Sequence, residues 1–327
     1  MDNPTYIGLD IGKYAVSCAV PGRRVRDFNN DRPGIRCLLQ WCGLTSPPAK
    51  LFFVMEATGG YCLFTASTLL DLADTRVAIV PPVCIASFIK AGIKRTKTDR
   101  ADAEAIRRFG EVHHPAPWFP RLKQQQRLRD LLLVFDAAKR TVVRLKCLKE
   151  KLATALQPDP FTLASLQRQL DSALAEQRLV AAEMDAVVSA DEVLSTDSAN
   201  MLSIPGVGPG VRNVLLALIG EQLHALSQRK LLAYCGLSPQ ENQSGKFKGR
   251  TMLNKAGDPR IRQILYMAAL RAVSPRGILH DYFQRLKRGG KHGKSALVHV
   301  MRKLLYLIQA LVKSGKPFDR AMYLNPA

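Results

Sequence analysis

Asp10, Glu56, Asp99 and Asp102 are the residues in the first third of the chain whose types and placement can do chemistry. Asp10 ends the apolar run Tyr6-Ile7-Gly8-Leu9-Asp10, and Glu56 ends Leu51-Phe52-Phe53-Val54-Met55-Glu56. A carboxylate directly after a buried strand emerges at the carboxyl end of a sheet, where sites in open α/β folds lie. Asp99 and Asp102 open a predicted helix and, three residues apart, share one of its faces. Acids from these places can converge on hard divalent cations, Mg²⁺ or Mn²⁺, which prefer oxygen ligands. Two metals held this way clamp the attacking and leaving oxygens of a phosphodiester, so the chemistry predicted is phosphoryl transfer on DNA or RNA. The plainer reading of Asp99 and Asp102 is a helix N-terminus with dipole-compensating acids behind a Thr98 N-cap.

Two further stretches carry chemical potential. Ile204-Pro205-Gly206-Val207-Gly208-Pro209-Gly210 matches the hairpin of a helix-hairpin-helix element. Gly206 and Gly208 would let backbone N–H groups face a phosphate beside a helix N-terminus, giving sequence-independent backbone binding. The alternative is a tight turn between helices. Gly236–Arg250 is a polar, glycine-rich loop in which Ser244 stands next to Gly245 and near Lys246, Lys248 and Arg250. Those cations can stabilise charge on phosphoryl oxygens. By itself Ser244 reads as a turn residue, because no adjacent histidine base is apparent.

The charge balance points to the same partner class. The 327 residues hold 48 Lys+Arg against 27 Asp+Glu, a net charge of +21. From Ser244 to Arg320 there are 18 Lys/Arg and three acids, so +15 of that excess lies in this stretch. Neutralising a polyanion with counterion release is the simplest use of such a surface. Lys255, Arg260 and Arg262 join Lys246, Lys248 and Arg250 as residues expected to grip nucleic-acid backbones. The seven cysteines are scattered without CxxC pairs or zinc-like histidine spacing. No charged-then-apolar leader and no apolar run long enough to cross a bilayer is apparent, which predicts a reduced, cytosolic protein with no membrane partner.

The elements that must position these groups fall into three expected parts. Residues 1–118 read as strands first, with a Gly12-Lys13 turn before Ala15–Val20 and a strand at Arg26–Asn29, then strand–helix alternation. That pattern predicts an α/β ribonuclease-H-like domain. Residues 119–198 carry leucines at threes and fours over Leu122–Leu156 and Leu163–Val188, broken by Pro158 and Pro160. They predict an antiparallel helical arm with coiled-coil character, the alternative being an ordinary helix pair covering a core. Residues 199–327 read as mainly helical, with helices at Val211–Ile219, Gln228–Tyr234, Pro259–Ala272, Ile278–Lys287 and Ser295–Ser314.

Gly8-Leu9-Asp10-Ile11-Gly12 alone fits both the actin-like sugar kinases and the ribonuclease-H-like nucleases. No second glycine-rich phosphate loop is found, and Lys97-Thr98-Asp99-Arg100-Ala101-Asp102-Ala103 tilts the choice to the nucleases. With Val54-Met55-Glu56-Ala57-Thr58-Gly59-Gly60-Tyr61, Ile204–Gly208, Ala233-Tyr234-Cys235-Gly236-Leu237-Ser238-Pro239, Gln243-Ser244-Gly245 and Asn254–Arg262 in order, the chain resembles the DEDD-type transposases of the IS-one-ten insertion-sequence family, relatives of the Piv DNA invertase. The resemblance covers nearly the whole length. It implies a RuvC-like N-terminal domain, a coiled-coil arm and a C-terminal transposase domain. It maps the four acids onto Asp10, Glu56, Asp99 and Asp102, and makes Ser244 the nucleophile. It also implies donor and target DNA as partners, a noncoding guide (bridge) RNA that pairs with both, and homo-oligomers, dimer to tetramer, with sites composed from two protomers. The setting implied is the bacterial cytoplasm, in association with the nucleoid. A metal-only Holliday-junction resolvase and a non-catalytic DNA-bridging protein are the other readings of the same residues.

Overall fold

The computed structural model describes residues 4–43, 46–91, 99–240, 243–244, 247–248 and 252–321, with the backbone alone at 99, 243, 244, 247 and 248. The chain divides into two compact units, Met1–Pro120 and Arg121–Ala327.

In the first unit three strands come in succession: β1 (Thr5–Ile11), β2 (Ala15–Ala19) and β3 (Arg26–Asn29). After them come α1 (Arg32–Gly43), a 3₁₀ turn, β4 (Leu51–Glu56), α2 (Gly60–Leu72), β5 (Arg76–Val80), α3 (Pro82–Ala91) and α4 (Asp99–His113). They build one sheet in the order β3-β2-β1-β4-β5. The first two pairings are antiparallel, because β1 and β2 are joined by a tight turn closed by Gly12 N–H donating to Ala15 O at 2.8 Å. The last two are parallel, each crossing over through a helix. β1 and β4 are covered on both faces, which is why Leu51–Met55 reads as an unbroken apolar run. Ile7, Leu9, Phe53, Met55 and Val77 pack towards α1 and α2. Tyr6, Phe52, Val54 and Val80 pack towards α3 and α4. The expected mixed α/β architecture is present.

The second unit holds α5 (Lys123–Ala153), α6 (Pro160–Ser189), α7 (Glu192–Leu202), α8 (Pro209–Leu218), α9 (Gln222–Ala225) and α10 (Gln228–Tyr234). Four two-residue strands follow: β6 (Pro239–Gln240), β7 (Gln243–Ser244), β8 (Phe247–Lys248) and β9 (Met252–Leu253). Then come α11 (Pro259–Ala272), α12 (His280–Arg288) and α13 (Gly293–Ser314). Asp159 caps α6, its carboxylate accepting from Thr162 N–H at 2.8 Å, with Pro160 in the first helical position.

The helix pair expected as an arm over 119–198 divides its packing. Leu128, Leu132, Met184, Val187 and Val188 enter the large core built by α8, α11 and α13 around Leu215, Leu265 and Leu304. Further out, Val142, Leu145, Leu166 and Leu170 form a small cluster of their own. α7, which the sequence reading did not separate from this pair, begins at an Asp191 cap accepting from Leu194 N–H at 3.0 Å. One expectation is corrected: α13 is long and apolar enough, at a mean hydropathy of 1.4, to cross a membrane by length and composition. More than half of that apolar window is buried inside the unit, where Val300, Leu304, Leu305 and Ile308 supply the middle of the core.

Candidate active site

The frame for the acids comes from backbone register. Leu9 pairs with Met55 in the parallel β1–β4 ladder, so Asp10 and Glu56, one residue further along, stand on neighbouring strands at the carboxyl end of the sheet. Side chains alternate across a strand, so both face away from Leu9 and Met55, towards α4. α4 runs back along β1 at close range. Gly110 lies against Tyr6 and Val54, while a Cβ on Gly8 would stand 2.1 Å from the Ala103 carbonyl oxygen. Gly8 is therefore the residue that lets the helix backbone sit on the strand. From Gly110 over Tyr6 to Ala103 over Gly8, the next turn of α4 carries Asp102 and the backbone of Asp99 to the level of Asp10. Ala103, Ile106 and Gly110 mark the face against the sheet, and Asp99 and Asp102 extend it at helical spacing.

The other acids of α4 are neutralised within the helix. The largely buried Arg107 guanidinium donates to Glu104 at 2.7 Å and pairs with Glu111, while Arg108 reaches Glu104 at 3.2 Å. Those bonds hold the Glu104 carboxyl below its ordinary value, the Arg107 hydrogen bond contributing most. The side chains of Glu56 and Asp102, both half-buried residues, have no ion-pair or hydrogen-bond partner among the described residues. Half-buried carboxylates sharing one end of a sheet repel each other unless a cation stands among them. Their oxygens suit a hard divalent ion, so the donor set fits one. Among the described residues no group of three His, Cys, Asp or Glu side chains is already drawn together tightly enough to hold a metal. The chain thus supplies the donors and the frame.

A network absent from the sequence reading borders the acids. Asp10 pairs with Ser17 in the β1–β2 ladder, and Ser17 with Asp27 in the β2–β3 ladder. A row Glu56, Asp10, Ser17, Asp27 therefore crosses four strands on one face. The Ser17 hydroxyl donates to Asp27 at 2.6 Å, and Arg100, in the first turn of α4, reaches the same carboxylate at 3.3 Å. The Ser17 bond first, then Arg100, holds the Asp27 carboxyl below its ordinary value. No local pattern reveals this row, because it exists only once the strands are in register; the sole cue is a serine at an otherwise buried strand position.

Ser244 lies on a two-tier β-ribbon, where a plain loop was expected. β6 pairs with β9, Pro239 opposite Leu253, and further out β7 pairs with β8, Ser244 opposite Phe247. Lys246 and Arg250 lie outside the described residues, and of Lys248 only the backbone in β8 is described. The base of the ribbon is strapped to the helices. Arg302 of α13 donates through Nε to Leu237 O at 2.9 Å, and Arg262 of α11 donates to Gly257 O at 2.6 Å. Asn254 N–H closes on Ser238 O at 3.0 Å. Lys255 has a φ of 57° at the ribbon's exit.

Arg260 is held by Asp258 at 2.8 Å and by Asp136 at 3.4 Å. Arg260 and Arg262, both expected to contact phosphate, also donate to the protein itself. At the other expected contact, Gly206 turns the chain between α7 and α8 with a φ of 97°, and Gly208 caps α8.

Comparison with known proteins identifies two matching family models. One, described as "Transposase" and built on DEDD transposases of the IS110 group, matches residues 7–158. The other, "Transposase IS116/IS110/IS902 family", matches residues 198–284. The first implies a ribonuclease-H-like fold and divalent-metal use for the acid-bearing unit. Along 98% of its length the chain is 26% identical to the "Pilin gene-inverting protein" of Moraxella lacunata, covering 99% of that protein. It is 26% identical over 82% of its length to the "Transposase for insertion sequence element IS1328" of Yersinia enterocolitica, of which 84% is covered. A "Probable family 20 transposase" of Pseudomonas aeruginosa is 25% identical over 83% of this chain and 84% of its own.

Proposed function

Because the chain belongs to the IS110 family of transposases and DNA invertases, we propose that it cuts and rejoins DNA through a phosphoserine intermediate, using Ser244 as nucleophile and Asp10, Glu56, Asp99 and Asp102 as holders of Mg²⁺ or Mn²⁺. The observation that carries this reading is the register placing Asp10 and Glu56 side by side beneath the first turn of α4, with Glu56 and Asp102 lacking a neutralising partner among the described residues.

The Ser244 hydroxyl oxygen attacks a DNA phosphorus, forming a serine–phosphate ester and breaking the bond from phosphorus to the 3′ oxygen. The proton the serine gives up ends on that oxygen, leaving a free 3′-hydroxyl. Attack by a 3′-hydroxyl on the ester reverses the step, so strands exchange without ATP and one hard reaction becomes two easier ones. Asp10, Glu56, Asp99 and Asp102 would hold a divalent ion at the end of the sheet, where it would neutralise charge at the phosphate, while the straps from Arg302 and Arg262 fix the base of the ribbon that carries Ser244. Gly206, Gly208, Lys246, Lys248, Arg250, Lys255, Arg260 and Arg262 contact nucleic-acid backbones, which positions the strands without reading sequence. Sequence choice comes from base pairing with a structured noncoding guide RNA, and the helix pair α5–α6 joins protomers into dimers and tetramers.

The test is covalent capture. Wild-type protein incubated with Mg²⁺ and labelled junction DNA should carry label through denaturation, and Ser244→Ala should carry none while still binding DNA. Label retained in Ser244→Ala removes the nucleophile; cleavage by wild type without any adduct makes water the attacking group.

A further inference from the structure

A cavity of about 620 Å³ opens in the second unit between α10, α12 and α13, lined by Leu232, Tyr282, His299, Arg302, Lys303 and Tyr306 among others. Its lining includes no residue of the Ser244 ribbon's strands, although Arg302, which lines it, also bonds Leu237 O at the ribbon's base. Its size lies within the range of small-ligand sites. Its lining brings together two tyrosine rings, a histidine and the cations Arg302 and Lys303, with no carboxylate among the described lining residues. Lys303 Nζ lies 4.6 Å from the Tyr282 ring centroid and the Arg285 guanidinium 5.6 Å from it. Neither tyrosine ring is stacked on another aromatic ring among the described residues. Burial first, then the neighbouring Lys291 and Arg302, push His299 below its ordinary value. Past Tyr282, α12 continues with Arg285, Lys287 and Arg288 in its last turn, and Lys287 lies 6.0 Å from the Phe283 ring.

We propose that this cavity receives one unpaired nucleotide of a nucleic-acid strand, the base against Tyr282 and Tyr306 and the flanking phosphates on Lys303, Arg302 and the basic end of α12. The inference rests on the nucleic-acid reading above and gives it a specific subsite. Charge complementarity selects an anion, and the aromatic walls select one that carries a flat ring. The basic last turn of α12, following Tyr282 along the helix, selects a polymer over a free nucleotide. A base inside a duplex cannot enter a cavity; it must be single-stranded or turned out of its stack. Aromatic platforms bordered by cations serve unpaired strands in this way.

The experiment uses the full chain and short oligonucleotides, DNA and RNA, bearing 2-aminopurine, each offered single-stranded and as a duplex at fixed ionic strength. Quenching of the reporter should occur with single strands and be lost in Tyr282→Leu and in Tyr306→Leu, with single-strand affinity falling roughly tenfold. Tyr282→Phe and Tyr306→Phe should retain it, which separates stacking from misfolding. Lys287→Gln should weaken duplex and single strand alike. A stronger response with one sugar identifies which strand is taken. Equal losses for duplex and single strand in the leucine variants, or undiminished quenching, overturns the proposal. Because binding is read without cleavage, a failure here leaves the Ser244 adduct test standing, and a failure there leaves this one.

Discussion

Ser17 donates its hydroxyl to Asp27 at 2.6 Å while occupying the position beside Asp10 in the strand ladder. The pair links the acid row to α4, because the same Asp27 carboxylate receives Arg100. Asp27→Asn should therefore lower DNA cleavage several-fold while costing under about 1 kcal/mol of stability, the scale of an exposed ion pair. Cleavage rates beside urea melts check this, and recovery by Asp27→Glu identifies a positioning role.

The same carboxylate sets a pH dependence. Its folded pKa is depressed, by the Ser17 bond first and Arg100 next. Its contribution to stability is thus present above the ordinary value of about 3.9 and is lost as pH falls through the lower folded value. Wild type and Asp27→Asn should differ slightly in melting temperature at neutral pH and converge in acid. A gap that persists or widens below that window contradicts the assignment. The half-exposed setting keeps the effect small.

Gly8→Ala should damage the first unit, because the added Cβ meets backbone at 2.1 Å and the helix must move away. A loss of about 3 kcal/mol is expected by chemical denaturation, at the upper end for overpacking. Cleavage should fall with it, since α4 carries Asp99 and Asp102.

Asp10→Asn and Glu56→Gln should each reduce adduct formation roughly 100-fold or more, the scale of removing one electrostatic stabiliser from a reaction centre. DNA affinity measured without added metal should stay within twofold. An adduct yield matching wild type would sink the role of that acid.

Arg262→Gln separates strap from phosphate ligand. The guanidinium donates to Gly257 O and approaches Cys235 O at 3.5 Å. Loss of the strap should slow adduct formation, and loss of the phosphate contact should reduce the slope of log affinity against log salt by about one. An unchanged slope would leave Arg262 as a strap alone.

Legibility in the sequence followed the range over which each feature is encoded. β4, α10 and α11 were readable because contiguous apolar runs, spaced leucines and the Asp258-Pro259 start are local signals. Asp10 and Glu56 were legible as strand-end acids. The Ser17–Asp27–Arg100 row was not, because cross-strand neighbours depend on register. α7 hid because Ser195, Thr196, Asp197 and Ser198 interrupt its apolar spacing. The ribbon's strands are two residues each, too short for any alternation to show. α13 is legible as a helix, while Arg302 and Lys303 break its apolar run and hide its hydropathy in the sequence.

The α5–α6 pair carries a small apolar cluster of its own, Val142, Leu145, Leu166 and Leu170 with Leu152, Ala173 and Leu174 against it, apart from the large core that Leu128, Leu132, Met184, Val187 and Val188 enter. Span and sturdiness are thereby uncoupled. Trimming whole turns from the distal end, at about 5.4 Å per turn, should shorten the helix pair without removing the residues it contributes to the large core.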